Sequence, residues 1–169
     1  MRQIKVNSLL GNEIITAADV KSYVRIDTDE DDAIITNMIT QARIWCENYI
    51  SRDIVAKNRT YYLSDTSGLF DLPFAPINTV TGVTIEGEAA TFTEYGLDDL
   101  SIELDGGPSS NVKVTYTTQG LNDGLIKQAL LQMVSNYYDN RGDFVTGTIV
   151  SQIPTNVKSI LSGYKTMFI

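Results

Sequence analysis

The order of segments in this sequence predicts an α+β fold. It has a helical base of about four helices, with a small antiparallel β-module inserted between the second and third. Three observations lead there. Apolar residues recur with three-four spacing over residues 30–51 and again over 125–138. Between 59 and 118 the texture changes to short runs rich in Val, Ile, Thr and Tyr, separated by Gly, Pro, Asn and Asp. The charge balance changes at the same places. Residues 1–57 carry seven basic and nine acidic side chains, 58–120 carry two and nine, and 121–169 carry four and three. An acidic middle between nearly neutral flanks divides the chain into a base, 1–57 with 119–169, and an inserted β-module, 58–118.

The first flank reads as helical. Thr16 followed by Asp19 marks a helix start of the capping-box kind, with Val20, Tyr23 and Val24 on one face. A break follows at Arg25–Asp27. The acidic run that comes next opposes the positive end of a second helix, from Glu30 to Ser51. Ile34, Ile35, Met38, Ile39, Ala42, Trp45, Cys46, Tyr49 and Ile50 form its apolar stripe, and a core around Trp45, Cys46 and Met133 is expected. The strand runs are 59–63, 77–85, 91–95, 100–104 and 112–118, with Pro73, Pro76 and Pro108 in the turns. Asn122-Asp123 caps a third helix carrying Leu125, Ala129, Leu130, Met133, Val134, Tyr137 and Tyr138, which stops near Asn140-Arg141-Gly142. Pro154 opens a short last helix that ends at Gly163.

Composition excludes several functions. The chain has 169 residues, 43% of them hydrophobic and 20% charged, which is the balance of a folded globular protein. It has no histidine, so Ser-His-Asp and Cys-His catalysis and His-ligated metals are out of reach. A single cysteine, Cys46, excludes intrachain disulfides and cysteine zinc clusters. No signal-peptide pattern or membrane-length apolar run is visible, so synthesis in a cytoplasm and no membrane partner are expected. A net charge of −8 argues against wrapping nucleic acid, which needs a basic stripe.

Each candidate chemistry has a plainer reading. Asp27–Asp32 resembles a calcium loop, but the required Gly and Glu positions hold Asp32 and Met38, so a solvated helix start is the better reading. Gly82–Glu88 has phosphate-loop glycine spacing without its Lys or Ser/Thr, and reads as a turn. Glu94, Asp98, Asp99 and Glu103 have no spacing that separates a glycosidase pair from acids on a sheet face. Ser109, Ser110 and Ser162 lack a base, and Cys46 lies on a core face. No catalytic, cofactor or metal site is therefore assigned, and a binding or assembly role remains.

Four local patterns in order carry a resemblance. They are Ala18–Asp27 running into Asp29–Asp32; Ala42–Arg52; Leu72-Pro-Phe-Ala-Pro-Ile77 with Val80 and Val83; and Ile126–Leu131 leading to Tyr137–Arg141, with Ile153-Pro154 and a short helix after it. Together, over roughly residues 16–165, they resemble the head–tail connector proteins of long-tailed bacteriophages, also called adaptors or head-completion proteins. Ser51 departs from the glycine usual there, and Gly142-Asp143 from the acidic residue common after Arg141.

The resemblance implies a non-enzymatic virion protein at the head–tail junction. It would form a homo-oligomeric, twelvefold ring under the portal protein, extend the DNA channel without sequence-specific binding, and offer a platform to the next neck or tail protein. It also implies docking through the C-terminal segment, with Tyr164, Lys165, Met167, Phe168 and Ile169 as partner-binding residues. An apolar end needs a groove, either on a partner or on its own protomer, and both remain open here. The competing reading is a monomeric carbohydrate- or protein-binding β-module on a helical base, using Tyr61, Tyr62, Phe70, Phe74, Phe92, Tyr95 and Tyr116.

Overall fold

Helix α1 (Ala17–Val24) begins where its capping chemistry places it. The Thr16 hydroxyl accepts from the Asp19 amide at 3.2 Å and the Asp19 carboxylate accepts from the Thr16 amide at 2.7 Å, so two otherwise orphaned donors are satisfied. In this computed structural model residues 1–140 and 155–165 are described. Arg25 ends the helix in the left-handed region, and Lys21 reaches over to Asp29 and, at 2.9 Å, to Asp32. Helix α2 (Asp32–Ile50) follows, then α3 (Gly124–Asp139), capped by Asp123, and α4 (Thr155–Ser162). The expected stop signal at Arg141-Gly142 and the opening Pro154 lie outside the described residues.

Glu13–Ile50 and the described residues from Asn122 to Lys165 make one compact unit. Its core is a line along α2, Ile35, Ile39, Ala42, Cys46 and Ile50, packed with Ile126, Ala129, Leu130, Met133 and Val134 of α3 and Val157 and Leu161 of α4. The expected core needs correction at its edges. Trp45 is only half-buried and stacks on Tyr49, with ring centroids 5.2 Å apart. Ile34, Tyr23 and Leu125 are 42%, 47% and 52% exposed. The buried positions on α2 step by four and three residues, and Ile34 and Trp45 each precede a member of that line by one residue, about 100° round the helix. Periodicity draws the stripe wider than the neighbouring helices cover. Met133→Ala should therefore cost about 2–5 kcal/mol and Trp45→Ala about 1–2 kcal/mol. A thermal melt in which Trp45→Ala is the more damaging of the two would overturn this packing.

Met1–Asn12 and Ser51–Leu121 make the second compact unit, of two antiparallel sheets. Its strands are β1 (Arg2–Leu9), β2 (Lys57–Thr66), β3 (Leu69–Asp71), β4 (Ile77–Ile85), β5 (Glu88–Ala89), β6 (Phe92–Gly96), β7 (Leu100–Leu104) and β8 (Ser109–Thr118). One sheet has the order β1-β2-β8-β4-β5 and the other β3-β7-β6. β2 alternates buried and half-buried residues, the signature of a strand with one face on a core. Tyr61, Leu63, Phe70, Leu72, Val83, Ile102, Leu104, Val112, Val114 and Tyr116 fill the space between the sheets. Pro73, Pro76 and Pro108 fall between strands, as expected, and the Ala75–Pro76 peptide is cis. Gly96 turns β6 into β7 at φ +111°, where a Cβ would sit 2.1 Å from the Asp99 carbonyl oxygen.

The four described helices and the β-structure between α2 and α3 match the predicted order. The helical reading of the first flank is wrong at its start. Arg2–Leu9 is a strand paired antiparallel with β2, from Arg2 opposite Leu63 to Leu9 opposite Lys57. Ile4 and Val6 did carry a two-residue alternation, but a bulge between Val6 and Ser8 breaks it before Leu9.

Candidate functional site

Several of the acidic residues that suggested chemistry are engaged in holding the fold. In the 27–32 run, Asp29 and Asp32 meet Lys21, and Asp31 accepts from the Tyr138 hydroxyl at 2.6 Å. These contacts tie α1 and α3 to the start of α2. Asp99 pairs with Arg52 at 2.9 Å, and Glu103 accepts from the Tyr95 hydroxyl at 2.8 Å. Ser110 donates to Asp65 at 2.9 Å, and Ser162 to the Ser159 carbonyl at 2.7 Å. Gly82–Glu88 is the β4–β5 hairpin, with Glu86 and Gly87 both at positive φ in its turn. Burial pushes the Cys46 thiol up to about 12, with the neighbouring Glu47 charge adding to it, which keeps the sulfur protonated and inert. No group of three metal-ligating side chains occurs among the described residues.

The aromatics proposed for a ligand surface are mostly consumed by packing. Tyr61 and Phe70 meet edge to face at 6.4 Å inside the β-core, and Tyr116 is fully buried with its hydroxyl donating to the Pro73 carbonyl at 2.7 Å. Phe74 lies under the Arg59 guanidinium, 3.8 Å from the ring centroid. Tyr95 alone of the seven is exposed, and Tyr62, Phe74 and Phe92 are half-buried.

Two buried charge networks escaped sequence reasoning, which assigns charged side chains to solvent. In the β-unit Asp53 is fully buried, with Lys57 Nζ at 2.8 Å, Arg59 Nε at 2.8 Å and Nη2 at 2.6 Å, and the Thr118 hydroxyl at 2.8 Å. Burial alone would raise the Asp53 pKa; the hydrogen bonds and charges of Arg59 and Lys57 outweigh it and hold the carboxyl below its ordinary value. In the helical unit Arg43, on the buried face of α2, holds both Glu13 oxygens at 2.9 Å and Glu47 at 2.8 Å. Both networks join charged groups of the protein to one another and hold the structure around them.

Of the proposed partner-binding residues, Tyr164 and Lys165 are described, and Met167, Phe168 and Ile169 lie outside the described residues. Val157 and Leu161 anchor α4 in the helical core. The Tyr164 hydroxyl donates to Asp123 Oδ1 at 2.7 Å, the same oxygen that accepts the Leu125 amide as the α3 cap. Tyr164 and that cap together hold the Asp123 carboxyl below the usual carboxylate range, and the Asp123 acceptor in turn raises the Tyr164 phenol. Lys165 Nζ lies 5.1 Å from the Tyr49 ring centroid. Tyr164 and Lys165 are thus held on the helical unit.

Similarity to known proteins bears on what this scaffold serves. No curated protein matches the chain. The fold is similar to chains in three solved structures. One is the neck of an empty gene transfer agent (GTA) particle computed with C6 symmetry, at TM-score 0.76 and 18% identity, covering 99% of this chain and 97% of that one. The second is the virion of a native gene transfer agent particle, at TM-score 0.75 and 18% identity with the same coverage. The third is the neck of the native particle computed with C12 symmetry, at TM-score 0.74 and 16% identity, again covering 99% and 97%. At these identities the likeness is one of fold. The model of the head completion protein family matches residues 13–167, nearly the whole length, and the chain accordingly belongs to the head completion protein family.

Proposed function

We propose that this chain is the repeating subunit of a closed ring that seats under the portal and extends the DNA channel towards the next neck or tail protein. As a head completion protein it is a structural component of the virion at the head–tail junction, not an enzyme. The observation that carries the reading is the family match, spanning both compact units. The fold shared with neck chains computed under C6 and C12 symmetry supports a ring built by rotation. A net charge of −8 suits a channel wall that DNA must slide past, because such a wall repels phosphates instead of binding them. The contacts that hold Tyr164 and Lys165 support docking through the segment after them, Met167-Phe168-Ile169 included.

The test uses DNA-filled heads made without this protein. Purified protein should add to the portal vertex as a ring, visible by electron microscopy with rotational averaging, and should restore tail joining. A protein that stays monomeric by light scattering, alone and with heads, would overturn the ring and favour a monomeric binding module.

A further inference from the structure

The two sheets of the β-unit bury their inner faces in one core, and their outer faces carry opposite charge. In the five-stranded sheet Leu63, Val112, Val114 and Tyr116 are buried and mark the inner side. Lys5 stands opposite Thr60, and Tyr62 opposite Lys113; these four alternate with the buried positions and lie on the outer side. The strands of this sheet hold two acids, Asp65 and Glu88. They stand opposite Ser110 and Ile85, which share the inner side with Val112, so the outer side carries lysines and no strand carboxylate. Lys5 and Lys113 are exposed, and neither has an ion-pair partner among the described residues. An open groove of about 540 Å³ runs past them, lined also by Gln3, Thr60 and Tyr62.

The three-stranded sheet is the reverse. Phe70, Ile102 and Leu104 are buried on its inner side, so Leu69, Asp71, Ser101, Glu103, Thr93 and Tyr95 make up its outer side. Its strands contain no base. Asp71 and Glu103 are exposed, and the two large side chains beside Glu103, Leu69 and Tyr95, are 55% and 50% exposed. Asp71 is on the edge strand and also borders the groove that Arg2 lines, whereas Glu103 is on the middle strand. Lys113 likewise lies on β8, the middle strand of the larger sheet.

We propose that the outer face of the five-stranded sheet in one subunit packs on the outer face of the three-stranded sheet in the next, with Lys113 at the centre of one face against Glu103 at the centre of the other. Three features converge on a second copy as the occupant. Each face carries charge of one sign only, and the two signs are complementary. Leu69 and Tyr95 give the acidic face exposed apolar area around its central carboxylate, which a partner would cover. The faces are the two opposite sides of one sandwich, so every subunit offers both halves of the contact. A contact between different surfaces of the same molecule is heterologous and repeats by rotation, as a closed ring requires. The inference rests on the ring reading of the function and names the surface that would close it.

The experiment is a charge-swap cycle on the full chain: wild type, Lys113→Glu, Glu103→Lys and the two combined. Ring formation is measured by light scattering alone and by electron microscopy on heads lacking the protein. Each single change places like charges across the contact and should raise the concentration needed for assembly by at least about tenfold. The combined variant reverses both signs and should recover most of the loss. Thermal melts should be the same for all four, since both side chains are exposed. Leu69→Lys probes the apolar part of the acidic face and should also weaken assembly. If wild type assembles and the single variants assemble equally well, these faces are not the contact. If only Lys113→Glu fails, the lysine face meets a different partner, DNA or another acidic surface, and the proposal is wrong. If both single variants fail and the combined variant fails with them while melting normally, the two faces do not meet each other, which also overturns it. Wild type that assembles under no condition would instead overturn the ring reading itself.

Discussion

Asp53→Ala should lower the melting temperature of the β-unit by about 6–20 °C. The substitution leaves Lys57 and Arg59 buried without their shared counter-charge, 4% exposed each, and breaking a buried pair from one side costs about 3–5 kcal/mol. At this chain length each ~1 kcal/mol is worth about 2–4 °C. The Thr118 hydroxyl loses its acceptor at the same time. Replacing all three charged residues together, Asp53→Leu with Lys57→Met and Arg59→Met, should recover much of the loss, because the three charges are then removed together. The pH dependence follows from the same network. The folded Asp53 pKa is depressed, so its contribution is fully present above the ordinary aspartate value and is lost as pH falls below that value through the folded one. Asp53→Ala should flatten this acid limb of a stability–pH curve. A wild-type melting temperature for the single variant would show that the network carries no net stability.

Deleting residues 166–169 should abolish attachment to portal-bearing heads while moving the melting temperature by no more than about 2–4 °C. Tyr164 on the α3 cap and Lys165 on Tyr49 keep their contacts in this truncation, so the helical unit is left intact. The loss then falls on docking alone. Sedimentation of labelled protein with heads reads the first effect and a thermal melt the second. Unchanged attachment would remove the tail from the docking surface. A large fall in melting temperature would instead assign the apolar tail to the protomer's own core.

Much of the scaffold was legible because it rests on local chemistry. The Thr16–Asp19 box, the Asp123 cap and the four-three steps of Ile35, Ile39, Ala42, Cys46 and Ile50 are set by neighbours three or four residues apart. The turn residues Gly96, Pro73 and Pro76 mark strand ends by their own backbone limits. β1 was missed because a two-residue alternation broken by a bulge is a weak signal, and its partner β2 begins 48 residues after β1 ends. The candidate docking segment was named from its apolar end and from family resemblance. Nothing local to Tyr164 announced that its hydroxyl would find Asp123, 41 positions earlier.

The amino-acid sequence by itself therefore determined the order of the four helices and of the β-structure between the second and third, the absence of the histidine-based and disulfide chemistries its residues cannot supply, and the family. Each depends on composition or on spacing within a few residues. Tertiary structure alone decided which side of each amphipathic stripe is covered. It put Trp45 at the rim, Met133 at the centre, Asp53 with Lys57, Arg59 and Thr118 in the interior, and left every residue of β1 exposed. Periodicity states which face a residue shares. Whether that face meets water, a neighbouring element or another molecule depends on how far the opposing layer extends, and that is set by contacts distant in sequence.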